Sequence, residues 1–237
     1  MNQILLAAIM CLIASNAFAA CRQALVFALD VSSSVDRQEY SLQMQGLAGA
    51  LLDPEVQSLL LSQPSAPVSL SAFEWSGRFD QRVIFDWQNI ESPEDLLRIA
   101  AILHAQSRPE TTRPTAIGHA LQFAGQSLSK VSSCWQLTVD ISGDGKSNDG
   151  FRPRLGKSAS IFDRVIVNGL VIANDAPSPD RVVESEIGEL TSYFHHAVIH
   201  GPGAFIETAL GFQDFEAAMK RKLLRELSIA VANADQP

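Results

Sequence analysis

Asp30, Ser32 and Ser34 stand at alternate positions directly after an apolar run, and their side chains offer only oxygen. In a turning loop, alternate residues can converge on one point, and short hydroxyl and carboxylate groups suit a hard, small cation such as Mg²⁺, with Mn²⁺ or Ca²⁺ as alternatives. The competing use of the same residue types is helix capping, because a helix is expected to begin near Val35 and Asp36. Two further oxygen-rich positions follow. Thr115 opens a helix after a polar loop, and Asp144 lies in Ser142-Gly143-Asp144-Gly145 after a core strand. A cation site forms if these three stretches meet at one end of the fold.

The elements that must position them can be read from hydrophobic periodicity. Ala24, Leu25, Val26, Phe27, Ala28 and Leu29 form an uninterrupted apolar run, which fits a strand covered on both faces. Residues 35–52 have helical spacing, with Tyr40, Met44, Leu47 and Leu51 on one face, and Asp53-Pro54 ends the helix. Residues 68–75 and 78–87 alternate around Ser76-Gly77 as an antiparallel hairpin. Ser92-Pro93-Glu94-Asp95 opens a helix to about Gln106, and a second runs from Thr115 to about Ser129. Strands are expected at 136–141, 165–172 and 204–209, with helices at 154–163 and 182–198. Residues 174–179 are a turn-rich link, and a last helix capped by Asp214 carries the stripe Phe215, Met219, Leu223, Leu227. Strands alternating with helices predict an α/β fold: a doubly wound, mostly parallel sheet with one antiparallel edge strand and helices on both faces. Such sheets bind ligands beyond the carboxyl ends of their strands, where the strand order reverses. The three oxygen-rich loops lie at that rim.

Composition narrows the partner. The chain of 237 residues is 46% hydrophobic with a formal net charge of −8 and no lysine- or arginine-rich run, which argues against nucleic acid and against an anionic membrane surface. Residues 1–20 have a continuous apolar middle and the small-x-small exit Ala17-Phe18-Ala19, so they read as a cleaved signal peptide rather than a retained span. No later stretch is long and apolar enough to cross a bilayer. The remainder is expected to be exported, periplasmic or secreted, as one domain over residues 21–228 with a flexible tail at 229–237. Cys11 leaves with the leader. Cys21 and Cys134 remain, each just before a predicted core strand, and are expected to pair as a disulfide in an oxidising compartment. The rival use of Cys21 is lipidation.

Other chemistries fare less well. Gly145-Lys146-Ser147 imitates the end of a phosphate-binding loop, but Asp140 occupies the position where that loop needs glycine. No Gly-x-Ser-x-Gly elbow exists, and no histidine is tied by spacing to a nucleophile. His196 and His200 are one helical turn apart, as a transition-metal pair would be, although histidine near a helix C-terminus is common for dipole reasons. Glu74 ends an apolar strand and could face the oxygen-rich loops.

Taken together, Asp30-x-Ser32-x-Ser34, Thr115 and Asp144-Gly145 resemble the three motifs of the metal-ion-dependent adhesion site of the von Willebrand factor A domain, a Rossmann-like fold. The likeness covers nearly all of the chain after the leader and is closest to exported bacterial proteins of unknown function, through LDVSSSVDRQEY, VDISGDGKSNDG, VIVNGLVI, HGPGAFIETA and KRKLLREL. The resemblance implies that the hydroxyls of Ser32, Ser34 and Thr115 approach a metal directly or through one water, and that Asp30 and Asp144 act largely through water. A sixth position is then left for an outside ligand, typically a carboxylate on a protein partner. Arg113-Pro114 stands before Thr115 where the family usually has glycine, and Thr111 and Thr112 are neighbouring alternatives. The expectation is a non-enzymatic, cation-dependent binding domain. A metal-assisted hydrolase, or a structural module with a vestigial site, are the other readings.

Overall fold

The computed structural model describes residues 21–109, 113–173 and 183–234, so the leader, Thr111, Thr112 and the link at 174–179 lie outside the described residues. Strand β1 (Gln23–Asp30) is buried along its whole length. Its alternate side chains enter two cores: Leu25, Phe27 and Leu29 on one face of the sheet, Ala24, Val26 and Ala28 on the other. A strand covered on both sides has no polar face to spare, which is why its sequence reads as a continuous apolar run.

Around β1 lie β2 (Val68–Trp75), β3 (Gln81–Ile90), β4 (Gln136–Gly143), β5 (Val165–Ile172) and β6 (Ile206–Ala209), in a six-stranded sheet of order β3-β2-β1-β4-β5-β6. β1 pairs in parallel with both β2 and β4, β4 with β5 and β5 with β6, while β2 and the edge strand β3 form an antiparallel hairpin. The chain winds outward from β1 in both directions, so the order reverses between β1 and β4.

Helices α1 (Arg37–Leu52), α2 (Pro54–Leu60), α3 (Pro93–His104) and α7 (Phe215–Ala234) belong to one face. The other face carries α4 (Ile117–Ser129), the four-residue α5 (Pro153–Gly156) and α6 (Val183–Tyr193). Asp36 begins α1 with a reciprocal capping box to Glu39, and Asp53 both ends α1 and caps α2. Met219, Leu223 and Leu227 of α7 are fully buried, as their helical spacing predicts. The helix continues to Ala234, past the expected end of the domain at 228.

The segment expected as a helix at 154–163 is instead the short α5 turn and a 3-10 turn at Ser160–Asp163. Close packing explains the difference: a Cβ on Gly156 would lie 2.1 Å from the carbonyl oxygen of Gly118, so this stretch follows the surface of α4 rather than a helical repeat of its own. After α6 the helix widens into a π turn at Phe194–Val198, where the Ile199 N–H reaches back to the Phe194 carbonyl. Cys21 and Cys134 form a disulfide at the amino ends of β1 and β4. Among the described residues no helix is long and apolar enough to cross a membrane.

Candidate metal centre

The first oxygen-rich loop leaves β1 and enters α1 at the reversal point. The Ser32 N–H donates to Asp30 Oδ1 at 2.8 Å and folds the loop back on itself, while the Val35 N–H closes a turn onto the Ser32 carbonyl at 3.1 Å. Ser32 Oγ and Ser34 Oγ are 3.2 Å apart, so the alternate serines do converge. Ser34 Oγ then donates to Asp144 Oδ1 at 2.7 Å, across a wide gap in sequence, which brings the third stretch onto the first. Asp30, Ser32, Ser34 and Asp144 are one cluster.

Thr115 is tied through its backbone to the third loop beyond Asp144. Its N–H donates to Asn148 Oδ1 at 2.8 Å, and its carbonyl accepts from the Asn148 N–H at 2.9 Å, the Asp149 N–H at 3.1 Å and Ser147 Oγ at 3.2 Å. Arg113, just before it, accepts at its carbonyl from the Ser33 N–H at 2.9 Å and Ser33 Oγ at 2.6 Å, while its guanidinium pairs with Asp80. Thr115 is buried, with Arg113 bonded to the first loop on one side and its own backbone bonded to the third loop. Its hydroxyl forms no hydrogen bond with any described residue, the four clustered groups included.

The electrostatics of the cluster are unbalanced. Asp30 is fully buried, and its Oδ2 has no hydrogen-bond partner. Burial, then the charge of Asp144, push its carboxyl well above the usual carboxylate range, and the hydrogen bonds from Ser32 offset only part of this. Burial raises Asp144 as well, against the Ser34 hydrogen bond. Gly143 leaves space for the Asp30 carboxylate, since a Cβ there would lie 3.3 Å from Asp30 Oδ2. Two neighbouring carboxylates, an orphaned buried oxygen and a set of hydroxyls make a donor set that fits a hard divalent cation. Among the described residues no three His, Cys, Asp or Glu side chains gather, so the cluster offers two carboxylates and otherwise hydroxyls.

Several supporting residues escaped the sequence reading. Gln43 of α1 is completely buried beneath the cluster: its Nε2 donates to the Asp30 carbonyl at 2.9 Å and its Oε1 accepts from Ser142 Oγ at 3.0 Å. It thus joins the ends of β1 and β4, the strands that deliver Asp30 and Asp144. Asn148 plays the same part for Thr115, and its only sequence signal was a place in the polar run after Gly145. Glu74 does not join the cluster: it is buried between Tyr40, whose hydroxyl donates to Oε2 at 3.1 Å, and Arg82, which donates to Oε1 at 2.8 Å. His196 and His200 part company. The first bonds through Nδ1 to the Ser192 carbonyl at 2.7 Å, the second through Nε2 to the Phe162 carbonyl at 2.9 Å.

The model of a family described as a protein of unknown function (DUF1194) matches residues 20–231. Among curated proteins none matches. Solved structures show the same fold. Proximal thread matrix protein 1 of the mussel byssus, with a zinc-occupied metal-ion-dependent adhesion motif, is 19% identical, with 89% of this chain and 48% of that one covered and a TM-score of 0.58. The pilus adhesin SpaC of Lactobacillus rhamnosus GG is 12% identical over 90% of this chain and 31% of its own, with a TM-score of 0.60. An aerotolerance-related membrane protein from Bacteroides fragilis is 17% identical over 85% of this chain and 98% of its own, with a TM-score of 0.55. The chain spans half or less of the length of the first two. A von Willebrand factor type A structure from Catenulispora acidiphila, 11% identical over 89% of this chain and 43% of its own, has the same fold at a TM-score of 0.55, so the fold is that of the von Willebrand factor A domain.

Proposed function

The chain belongs to the DUF1194 family of proteins of unknown function, and we propose that it is an exported, non-enzymatic binding domain that uses a divalent cation to grip an acidic group on a protein partner. The observation that carries this reading is the convergence of Asp30, Ser32, Ser34 and Asp144, with one buried carboxylate oxygen left without a partner. Thr115 completes the set from the second loop, where its hydroxyl is uncommitted. A divalent cation held there would supply a positive centre with a coordination position open to a partner's carboxylate. The protein's share of the work is to keep the donors short, mostly neutral and fixed in place. Asp30 is fixed by Ser32, Asp144 by Ser34, and Thr115 by Asn148. Mg²⁺, Mn²⁺ and Ca²⁺ all accept such oxygen donors.

Export is supported by the leader-like residues 1–20 and by the Cys21–Cys134 disulfide, which belongs to an oxidising compartment such as the periplasm or the medium. The hydrolase reading needs a general base beside the cation. Asp30 and Asp144 are taken up as donors, and Asp149, further along the third loop, is held by Arg78 in a bidentate pair that keeps its carboxyl down to about 2. Calorimetric titration with Mg²⁺ tests the proposal. The unaltered protein binds one equivalent, and Asp30→Ala with Asp144→Ala abolishes binding while the circular dichroism spectrum is kept. Unchanged Mg²⁺ affinity in that variant would refute it.

A further inference from the structure

We propose that the cleft beside the metal centre is the second half of the partner-binding surface, taking a second acidic side chain from the same protein segment whose first carboxylate meets the cation. The proposal rests on the reading above. The cleft has a volume of about 520 Å³ and lies between the third loop, with Ser147, Asn148 and Phe151, and the end of α6 at Tyr193. Ser147 and Asn148 face it with the same residues that hold Thr115, so the cleft and the metal centre share a wall. Two of its lining residues are aromatic and partnered: Phe151 lies tilted at 31° against His119 with ring centroids 3.9 Å apart, and the Tyr193 hydroxyl accepts from the Ser147 N–H at 3.3 Å.

Charge identifies the occupant. Around the cleft Asp149 is paired with Arg78, and Lys146 with Glu189. Lys157 gives its ammonium to the carbonyls of Ala197, Val198 and Ile199 at 3.1, 2.7 and 3.0 Å. Arg152 and Arg154, both exposed on the rim, have no hydrogen-bond or ion-pair partner among the described residues. In a chain of net charge −8, which repels an acidic partner as a whole, two uncompensated guanidinium groups beside the metal centre supply the local attraction that such a partner needs. Guanidinium forks match carboxylates in shape as well as sign.

The test uses two capped peptides, one with a single Asp and one with that Asp followed two to four residues later by Glu, titrated by fluorescence anisotropy in Mn²⁺. The unaltered protein should prefer the two-acid peptide by roughly ten-fold, and in R152Q/R154Q the preference should fall to about one. Equal affinity for the two peptides in the unaltered protein, or a preference that survives the double substitution, overturns the proposal. So does a sulfated oligosaccharide that binds more tightly than the two-acid peptide and loses affinity in the variant. Failure of the metal reading shows separately, as equal affinity for the one-acid peptide in Mn²⁺ and in chelator.

Discussion

Two acidic pairs each take one member from β4 or the residue just past it, and they are balanced in different ways. Midway along β4, Asp140 is buried with Glu226 of α7, and Lys222 puts its ammonium 2.8 Å from Asp140 Oδ2 and 2.7 Å from Glu226 Oε1. Asn168 of β5 adds a hydrogen bond to Glu226 Oε1 at 2.6 Å. Just past the end of β4, Asp144 meets Asp30 with hydroxyls and a backbone N–H around them and no cationic side chain in the cluster. The inner group carries its own cation and fastens α7 to the sheet. In the outer group the Arg108 guanidinium reaches only the Ser32 carbonyl, at 3.2 Å, and among the described residues no cationic side chain pairs with Asp30 or Asp144. Burying a carboxylate without a counter-charge is costly, so under the proposed function buried Asp30 and half-buried Asp144 would gain from an ion taken up from solution, whereas the inner group is already paired.

Breaking the inner group should have the largest effect. Lys222→Met leaves Asp140 and Glu226 buried without a counter-charge and should lower stability by about 3–5 kcal/mol in urea denaturation. A loss below 1 kcal/mol would mean that the trio is not what holds α7. The outer group should behave in the opposite way, gaining stability from an added ion. Mg²⁺ at a hundred times its dissociation constant should raise the unfolding free energy by about 2.7 kcal/mol, and Asp30→Ala with Asp144→Ala should remove that gain. Gln43→Met keeps the volume of a buried side chain but unties the ends of β1 and β4. It should weaken Mg²⁺ binding by roughly ten-fold, beyond whatever it does to stability in the absence of metal.

The smallest effect is on pH. Burial, pulled back by Lys222 and reinforced by Glu226, pushes the Asp140 carboxyl up to about 7. The folded protein therefore keeps a proton that the unfolded chain has already released, and stability should fall as pH rises from the usual carboxylate range to about 7. Urea midpoints at pH 5 and pH 8 read the sum of this and of the raised Asp30 and Asp144 carboxyls, and a variant at the inner group isolates the Asp140 share. Glu226→Gln, which leaves one acid to one ammonium, should flatten the slope, and a slope unchanged by it would place the proton elsewhere.

The contrast between the groups also explains what the sequence made legible. That the first and third oxygen-rich stretches meet could be anticipated because each is local, Asp30-x-Ser32-x-Ser34 being contiguous and Asp144-Gly145 following an evident strand. The β1 run and the α7 stripe were equally plain, because an apolar period does not depend on partners. The inner group could not be read. Thr138, Asp140 and Ser142 alternate with Val139 and Ile141, which looks like a strand with one wet face, yet all three polar residues are buried. Lys222 and Glu226 have the spacing of an ordinary solvated helix pair, and only the packing of α7 against the sheet turns them inward. Gln43 was hidden for the same reason. A polar residue satisfied by distant backbone leaves no local pattern.

The central claim is that Asp30, Ser32, Ser34, Thr115 and Asp144 surround one cation at the rim between β1 and β4. Crystals of the protein grown with Mn²⁺ and measured for anomalous scattering test it most directly. The account predicts a single strong peak about 2.0–2.6 Å from Ser32 Oγ and Ser34 Oγ, with Thr115 turned toward it. An anomalous map that is flat at this rim, or a peak bound only by residues elsewhere, would contradict it.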